Sequence, residues 1–176
     1  MKAKAAPQRI PTVVTFLEMK TRPPPPMPPQ PPGKIALLRC ENPPVHFYRY
    51  LYDTIGRAHY WVERKKVDDT VLAALLGDPA LHIFTLYAEG CPAGMAELDF
   101  RNPEAAQLAY FGLMPDYIGR RLGHYFLYQA VLNAWAEPIR TLKVNTCTLD
   151  HPRALPLYQR VGFVPYARED RHIVMP

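Results

Sequence analysis

The chain has 176 residues, 48% of them hydrophobic and 21% charged, with a net charge of +5. A chain of this length buries roughly two thirds of its unfolded surface, so one domain with its own core is expected without help from disulfides or metal. Cys40, Cys91 and Cys147 are widely spaced and form no CxxC pair or Cys/His cluster, which supports neither a zinc site nor a disulfide framework, and they read as reduced thiols.

Met1-Lys2-Ala3-Lys4 lacks the apolar run of a signal peptide, and no stretch approaches the roughly 20 apolar residues of a membrane span. The sequence therefore reads as that of a soluble cytoplasmic protein with no membrane partner. Its positive charge favours anionic partners: nucleic acid, anionic lipid or a polyphosphate cofactor. Many of the 21 prolines fall in one stretch, so they mark a local segment.

Ile10 to Lys20, with Val13, Val14, Thr15, Phe16 and Leu17, reads as a strand. The run Arg22-Pro-Pro-Pro-Pro-Met-Pro-Pro-Gln-Pro-Pro-Gly33 can form neither helix nor central strand and predicts an extended polyproline-type connection. It serves either as a ligand for an aromatic-lined groove or as a semi-rigid spacer that lets the first strand dock in the sheet, and the spacer is favoured. Residues 1–33 are set apart on this basis from a main domain at 34–176. The aromatic-rich segment from Pro44 to Val67 predicts a helix over His46–Arg57 with Phe47, Tyr50, Leu51 and Thr54 on one face. Asp68 or Asp69 caps a second helix carrying Val71, Leu72, Leu75 and Leu76, which ends at Gly77. Leu81–Ala88 and Met95–Phe100 form a hairpin around the turn Glu89–Gly94, and Ala106–Leu113 is a further strand. Arg121–Trp135 is a helix with Leu122, Phe126, Ala130 and Ala134 in one i+4 row. Arg140–Thr146 is a strand, Pro152–Val161 a short helix stopped by Gly162, and Phe163–Tyr166 and His172–Met175 are closing strands. The order predicts a mixed α/β sheet without internal repeat.

The informative stretch is Tyr110-Phe-Gly-Leu-Met-Pro-Asp-Tyr-Ile-Gly-Arg-Arg-Leu-Gly-His-Tyr-Phe126. A strand runs into a glycine-containing basic turn and then into a helix. The first N–H groups of a helix have no internal acceptor and carry the positive end of its dipole, so such a turn can seat an anion. Gly119 and Gly123 allow a phosphate to approach the backbone, while Arg120 and Arg121 add charge.

This segment resembles the GNAT superfamily of acetyl-CoA-dependent N-acetyltransferases, whose signature is a strand, a Pro-Asp/Glu-Tyr exit and an Arg/Gln-x-x-Gly-x-Gly/Ala turn into a helix. Leu113-Met-Pro-Asp-Tyr117 matches the exit and Ile118-Gly-Arg-Arg-Leu-Gly123 the turn. A second family landmark is matched by His151-Pro-Arg-Ala-Leu-Pro-Leu-Tyr-Gln-Arg-Val-Gly-Phe163. Three residues depart from the pattern: Ile118 stands for Arg or Gln, Arg121 for glycine and His151 for Asn. The resemblance implies a mostly antiparallel twisted sheet flanked by helices, with the strands ending at Leu113 and beginning near Arg140 splayed apart. It implies acetyl-CoA as cosubstrate and no metal. The pantetheine arm would run beside Phe111, Gly112 and Leu113, and Gly119, Arg120, Arg121, Leu122, Gly123 and His124 would hold the pyrophosphate. His151 is ranked first as a cofactor contact.

The reaction so implied is direct attack of a primary amine on the acetyl thioester in a ternary complex. Freeing an ammonium of pKa about 10.4 of its proton at pH 7 costs roughly 4 to 5 kcal/mol. By the resemblance Tyr158 is the candidate acid at the leaving sulfur, with Pro156 positioned to kink its helix. No carboxylate lies in Asn145–Thr148, so Glu97 is the first candidate base, directly or through water; Asp150 reads as a helix cap. No covalent intermediate is required, so Cys147 is not assigned as a nucleophile. The acceptor, a small-molecule or peptide amine, is expected over the splayed strands beside Phe47 to Trp61, whose tyrosines either clamp it or fill the core. A homodimer is compatible with this reading. Two rivals stand beside it: a non-catalytic CoA-binding or scaffold protein using the proline-rich segment, and a nucleic-acid binder. The scattered 21 Lys and Arg and the lack of a nucleic-acid motif argue against the latter.

Overall fold

A computed structural model describes residues 7–102 and 104–175. The elements are β1 (Arg9–Met19), β2 (Ile35–Cys40), α1 (Val45–Gly56), α2 (Asp69–Leu76), β3 (Leu81–Ala88), β4 (Cys91–Asp99), β5 (Ala106–Leu113), α3 (Leu122–Ala134), β6 (Leu142–Cys147), α4 (Ala154–Val161) and β7 (Val164–Val174). They build one seven-stranded sheet in the order β2-β3-β4-β5-β6-β1-β7. Every neighbour pair is antiparallel except β5 and β6. The mixed, mostly antiparallel architecture expected from the sequence is thus present.

The proline-rich segment carries the chain from β1, sixth in the sheet, to β2 at its edge. The Tyr128 hydroxyl of α3 donates to the carbonyl of Pro24 (3.1 Å), and Lys34 N–H donates to Glu89 Oε1 (2.8 Å). The segment acts as a strap that lets β1 dock between β6 and β7.

Alternation along β4 sends its side chains into two cores. Ala96 and Leu98 pack with Phe126, Leu127, Val131, Tyr158 and Val161 from α3 and α4. Met95 faces Tyr48, Leu51, Tyr52, Ile55, Leu72 and Leu76 from α1 and α2. In α1 the buried row is Tyr48, Leu51, Tyr52 and Ile55. The face expected from Phe47, Tyr50, Leu51 and Thr54 is therefore rotated, and Tyr50 is half exposed (50%). Tyrosine fits either side of a helix, so composition alone did not fix the phase.

Four other expectations differ. The hairpin turn is only Glu89-Gly90, both at positive φ (52° and 83°), so β4 begins at Cys91; two left-handed residues match the twist of a tight hairpin. β2 escaped the sequence reading because Ile-Ala-Leu-Leu-Arg-Cys lacks clean alternation and lies on the sheet edge. The closing strands are one, β7, paired with β1 from Arg9 to Glu18, with an irregularity between Phe16 and Leu17. Pro156 is the third residue of α4, where its missing N–H would have no intrahelical acceptor, so the expected kink has no cause.

Candidate functional site

The β5–β6 ladder contains three pairs, Ala106–Leu142, Gln107–Lys143 and Leu108–Val144. Beyond them β5 runs on to Leu113 and β6 to Cys147 without pairing each other. On its other side β5 shifts register against β4 at Ala109, between the pairs Glu97–Tyr110 and Leu98–Leu108. The two strands therefore diverge, and a cavity of about 810 Å³ occupies the opening. Ala109 to Leu113 line one wall, and Asn145 and Cys147 the other.

At one end of this cavity stands the start of α3. Gly119 (φ 85°) and Arg121 (φ 62°) both take left-handed backbone, which turns the chain sharply into Leu122. No side chain caps α3. Gly119, Arg121, Leu122, Gly123 and His124 all line the cavity, so the uncapped N–H end and one guanidinium look into it. Arg120 differs: its guanidinium lies 4.9 Å from the centre of the Tyr117 ring and is not on the cavity wall. Burial, then Arg160, pushes the His124 imidazole below its usual range, so it is neutral at pH 7.

Tyr158 also lines the cavity and is 6% exposed. Its ring sits edge-on to Phe111 (6.4 Å) and Phe163 (5.9 Å), which fixes its direction. Burial first, and the Asp150 carboxylate second, raise its pKa, so the phenol holds its proton throughout the neutral range. Asp150 is not a helix cap. Its Oδ2 accepts from Thr146 Oγ1 and from Cys147 N–H, both at 2.8 Å, tying the end of β6 to the following turn. His151 lines the cavity, and its Nδ1 accepts from Arg153 N–H at 3.2 Å.

Glu97 lies elsewhere. Placed by alternation on the α1 side of β4, it is fully buried, accepts hydrogen bonds from Tyr48 Oη and Arg64 Nη2, and does not line the cavity. Both of its oxygens are engaged, Oε2 by the phenol and Oε1 by the guanidinium. Arg64, which the sequence did not single out, does reach the cavity, with its guanidinium 5.3 Å from the centre of the Tyr110 ring. Its signal was only a cation in a basic run beside an aromatic segment.

The rest of the cavity wall includes residues 59–64, among them Trp61, and Asp99, Arg101, Arg171 and His172. Tyr52, Trp61 and Tyr110 form a mutual cluster with ring centres 4.9 to 5.3 Å apart. Of the aromatic segment, Tyr52, Tyr60 and Trp61 touch the cavity while Tyr48 fills the core and Phe47 packs beside it. Arg101 grips Asp99 with two nitrogens (2.9 and 2.6 Å) and Arg171 pairs with Glu169 at 2.6 Å, so much of the charge here is already matched. Among the described residues no group of three or more His, Cys, Asp or Glu could hold a metal, and no helix is long and apolar enough to cross a membrane.

Residues 40–163 match the family model described as acetyltransferase (GNAT) family. No curated protein sequence matches the chain. Among solved structures, a GCN5-related N-acetyltransferase from Sphaerobacter thermophilus superposes with a TM-score of 0.67 at 14% identity, over 95% of this chain and 52% of that one. A GCN5-related N-acetyltransferase from Kribbella flavida gives 0.63 at 17% identity, over 96% and 58%. An aminoglycoside acetyltransferase from an uncultured soil metagenomic sample, in complex with sisomicin, gives 0.55 at 13% identity, over 73% and 87%. The chain thus spans little more than half the length of the first two.

Proposed function

The chain belongs to the acetyltransferase (GNAT) family, and from that premise we propose that it is an acetyl-CoA-dependent N-acetyltransferase acting on a primary amine by direct attack in a ternary complex. One observation carries the reading: the uncapped start of α3 and the gap between β5 and β6 open into the same cavity, with Tyr158 on its wall. Residues 34–176 are the proposed acetyltransferase domain, completed by β1 and its connector in residues 1–33.

The residues present fit a diphosphate-bearing cosubstrate. The amides of Leu122, Gly123 and His124, the left-handed bend at Gly119, and Arg121 supply donors and positive charge for the pyrophosphate. Phe111, Gly112 and Leu113 offer the free edge of β5 to the pantetheine amides, and His151 a further contact. Arg120 supports this turn from behind through Tyr117 rather than touching the cosubstrate. When bound, acetyl-CoA supplies a thioester carbonyl open to nucleophilic attack.

The chain's own part begins with the amine. Trp61, Tyr110 and Phe111 form an apolar wall against which an ammonium is poorly solvated, which lowers its pKa and yields the free base nearer neutral pH. Glu97 contributes by holding Arg64 and the 59–64 wall in place. Tyr158 donates a hydrogen bond to the departing sulfur. Full proton transfer from a phenol of pKa at least 10 to a thiolate whose thiol has pKa about 8.5 is uphill by about 2 kcal/mol or more, so stabilisation without transfer is the better description. A polycation such as an aminoglycoside would meet Arg64, Arg101 and Arg171 on the cavity wall; a monoamine fits these matched charges better.

The test is thiol release from acetyl-CoA with purified protein across monoamines, amino acids, peptide N-termini, polyamines and aminoglycosides. Amine-dependent release with an acetylated product of matching mass is expected. CoA binding without release from any amine would return the non-catalytic reading.

A further inference from the structure

We propose that the strap between β1 and β2 is a docking surface for a partner protein whose groove is lined with aromatic rings and edged with carboxylates. No residue of the strap lines the cavity, so the acetyl-transfer reading leaves it without a role beyond spanning the sheet. The inference stands on different residues and does not depend on that reading.

Pro26, Pro28, Pro29, Pro31 and Pro32 fix their own φ near −65° and hold each preceding residue in extended backbone. Such a run winds at three residues per turn, so residues three apart share a row. Between Pro26 and Pro32 the structure sorts the rows. Pro28 and Pro31 are buried, whereas Pro26, Pro29 and Pro32 are exposed, as are Met27 and Gln30 between them. One row grips the body, and the other two form a continuous outward ridge. Met27, 54% exposed, makes that ridge apolar between its prolines. A connector needs only reach, which polar outward residues would supply equally well.

The ridge is also held before any partner arrives. The Tyr128 hydroxyl fixes Pro24, Gln129 Nε2 lies 3.2 Å from Met27 Sδ, and the exchange of Lys34 with Glu89 fixes the other end (2.8 and 2.9 Å). A surface already ordered loses little entropy on binding. Flat proline rings with no N–H are read by aromatic-lined grooves, in which the rings stack.

Charge selects the rim. From Met19 to Cys40 the chain carries Lys20, Arg22, Lys34 and Arg39 and no acidic residue. Lys20 pairs with Glu18 and Arg39 with Glu41. Among the described residues the side-chain charges of Arg22 and Lys34 form no ion pair, although Lys34 N–H donates to the Glu89 carboxylate, and the two cations bracket the ridge. Lys34 follows Pro32 by two positions, exposed, where it would meet an acidic residue beside the last proline pocket. The ridge lies along α3 away from the cavity, so a docked partner leaves the cavity open.

The experiment titrates the isotope-labelled full chain with a panel of purified SH3, WW and EVH1 modules, followed by amide shifts. A module with an acidic groove rim is expected to bind in the micromolar range, shifting the amide signals of Met27, Gln30, Gly33 and Lys34. A synthetic peptide of residues 22–34 should compete. Pro29→Ala with Pro32→Ala, and separately Lys34→Glu, should each weaken binding about tenfold or more, while the melting temperature and acetyl-CoA affinity stay near those of the parent. Three results would overturn the proposal: no module binds the full chain; a module binds the free peptide but not the full chain, which would mean that the body sequesters the ridge; or the proline double variant binds as well as the parent.

Discussion

Two polar regions lie on opposite sides of the same strands. On the α1 side, Glu97, Arg64 and Tyr48 satisfy one another, with Glu97 fully buried and Arg64 alone of the three reaching the cavity wall. On the other, the start of α3 and the Tyr158 hydroxyl face an open cavity, the helix end without a side-chain cap. Among the described residues only α2 of the four helices has a side-chain cap, Asp68 accepting from Thr70 N–H at 2.8 Å, so what sets α3 apart is that its first three residues all line the cavity. Polar groups that find their partners inside the protein hold the fold, whereas donors left without one mark where a ligand supplies the acceptor.

The α1 side should break hardest. Arg64→Ala leaves the Glu97 carboxylate buried and unpaired, which should cost about 3 to 5 kcal/mol in urea unfolding. Adding Glu97→Gln to that variant should recover part of the loss, because the stranded charge is then gone. If Arg64→Ala unfolds like the parent, the pair is not a structural lock.

Next comes the open side. Tyr158→Phe keeps the packing against Phe111 and Phe163 but removes the hydroxyl, so kcat should fall about hundredfold while KM for acetyl-CoA changes less than about twofold. An equal loss in both would mean that the ring holds the cosubstrate; no loss in either would remove the residue from the reaction.

What the sequence disclosed follows the same division. Local chemistry was legible: the Asp68 cap, the stop at Gly162 (φ 116°), the α3 rows and the bend before Leu122 all depend on neighbours in the chain. The splay of β5 from β6 came from the family resemblance and is present in the ladder. What depended on distant partners was not legible. Glu97 read as a candidate base because nothing beside it announces Arg64, 33 positions earlier. Arg120 and Arg121 look equivalent in sequence, yet left-handed backbone at Arg121 turns one toward the cavity and leaves the other over Tyr117.

That adjacent pair offers a finer test of the open side. Arg121→Glu should weaken acetyl-CoA binding about tenfold by calorimetry, the loss expected for reversing one charge near a phosphate. Arg120→Glu should change it less than about threefold. Equal losses would mean that long-range charge, not placement, governs binding at this turn.

The smallest effect concerns His124. Its pKa is held below the ordinary 6.5 by burial, and Arg160 adds to that, so the folded chain binds its proton less readily than the unfolded chain. Its contribution to stability is therefore complete above about pH 6.5 and shrinks as pH falls through the folded value. A bound diphosphate reverses the preference by stabilising imidazolium, so acetyl-CoA should carry a proton in with it and bind more tightly as pH drops below 6.5. The cosubstrate's own phosphates titrate in the same window and oppose this, so the signal is the difference between parent and His124→Gln. The parent should gain about twofold to fivefold in affinity over the variant between pH 7.5 and 5.5. A difference that does not change with pH would place His124 on the cavity wall but out of reach of the phosphates, and would narrow the anion seat to Arg121 and the backbone of α3.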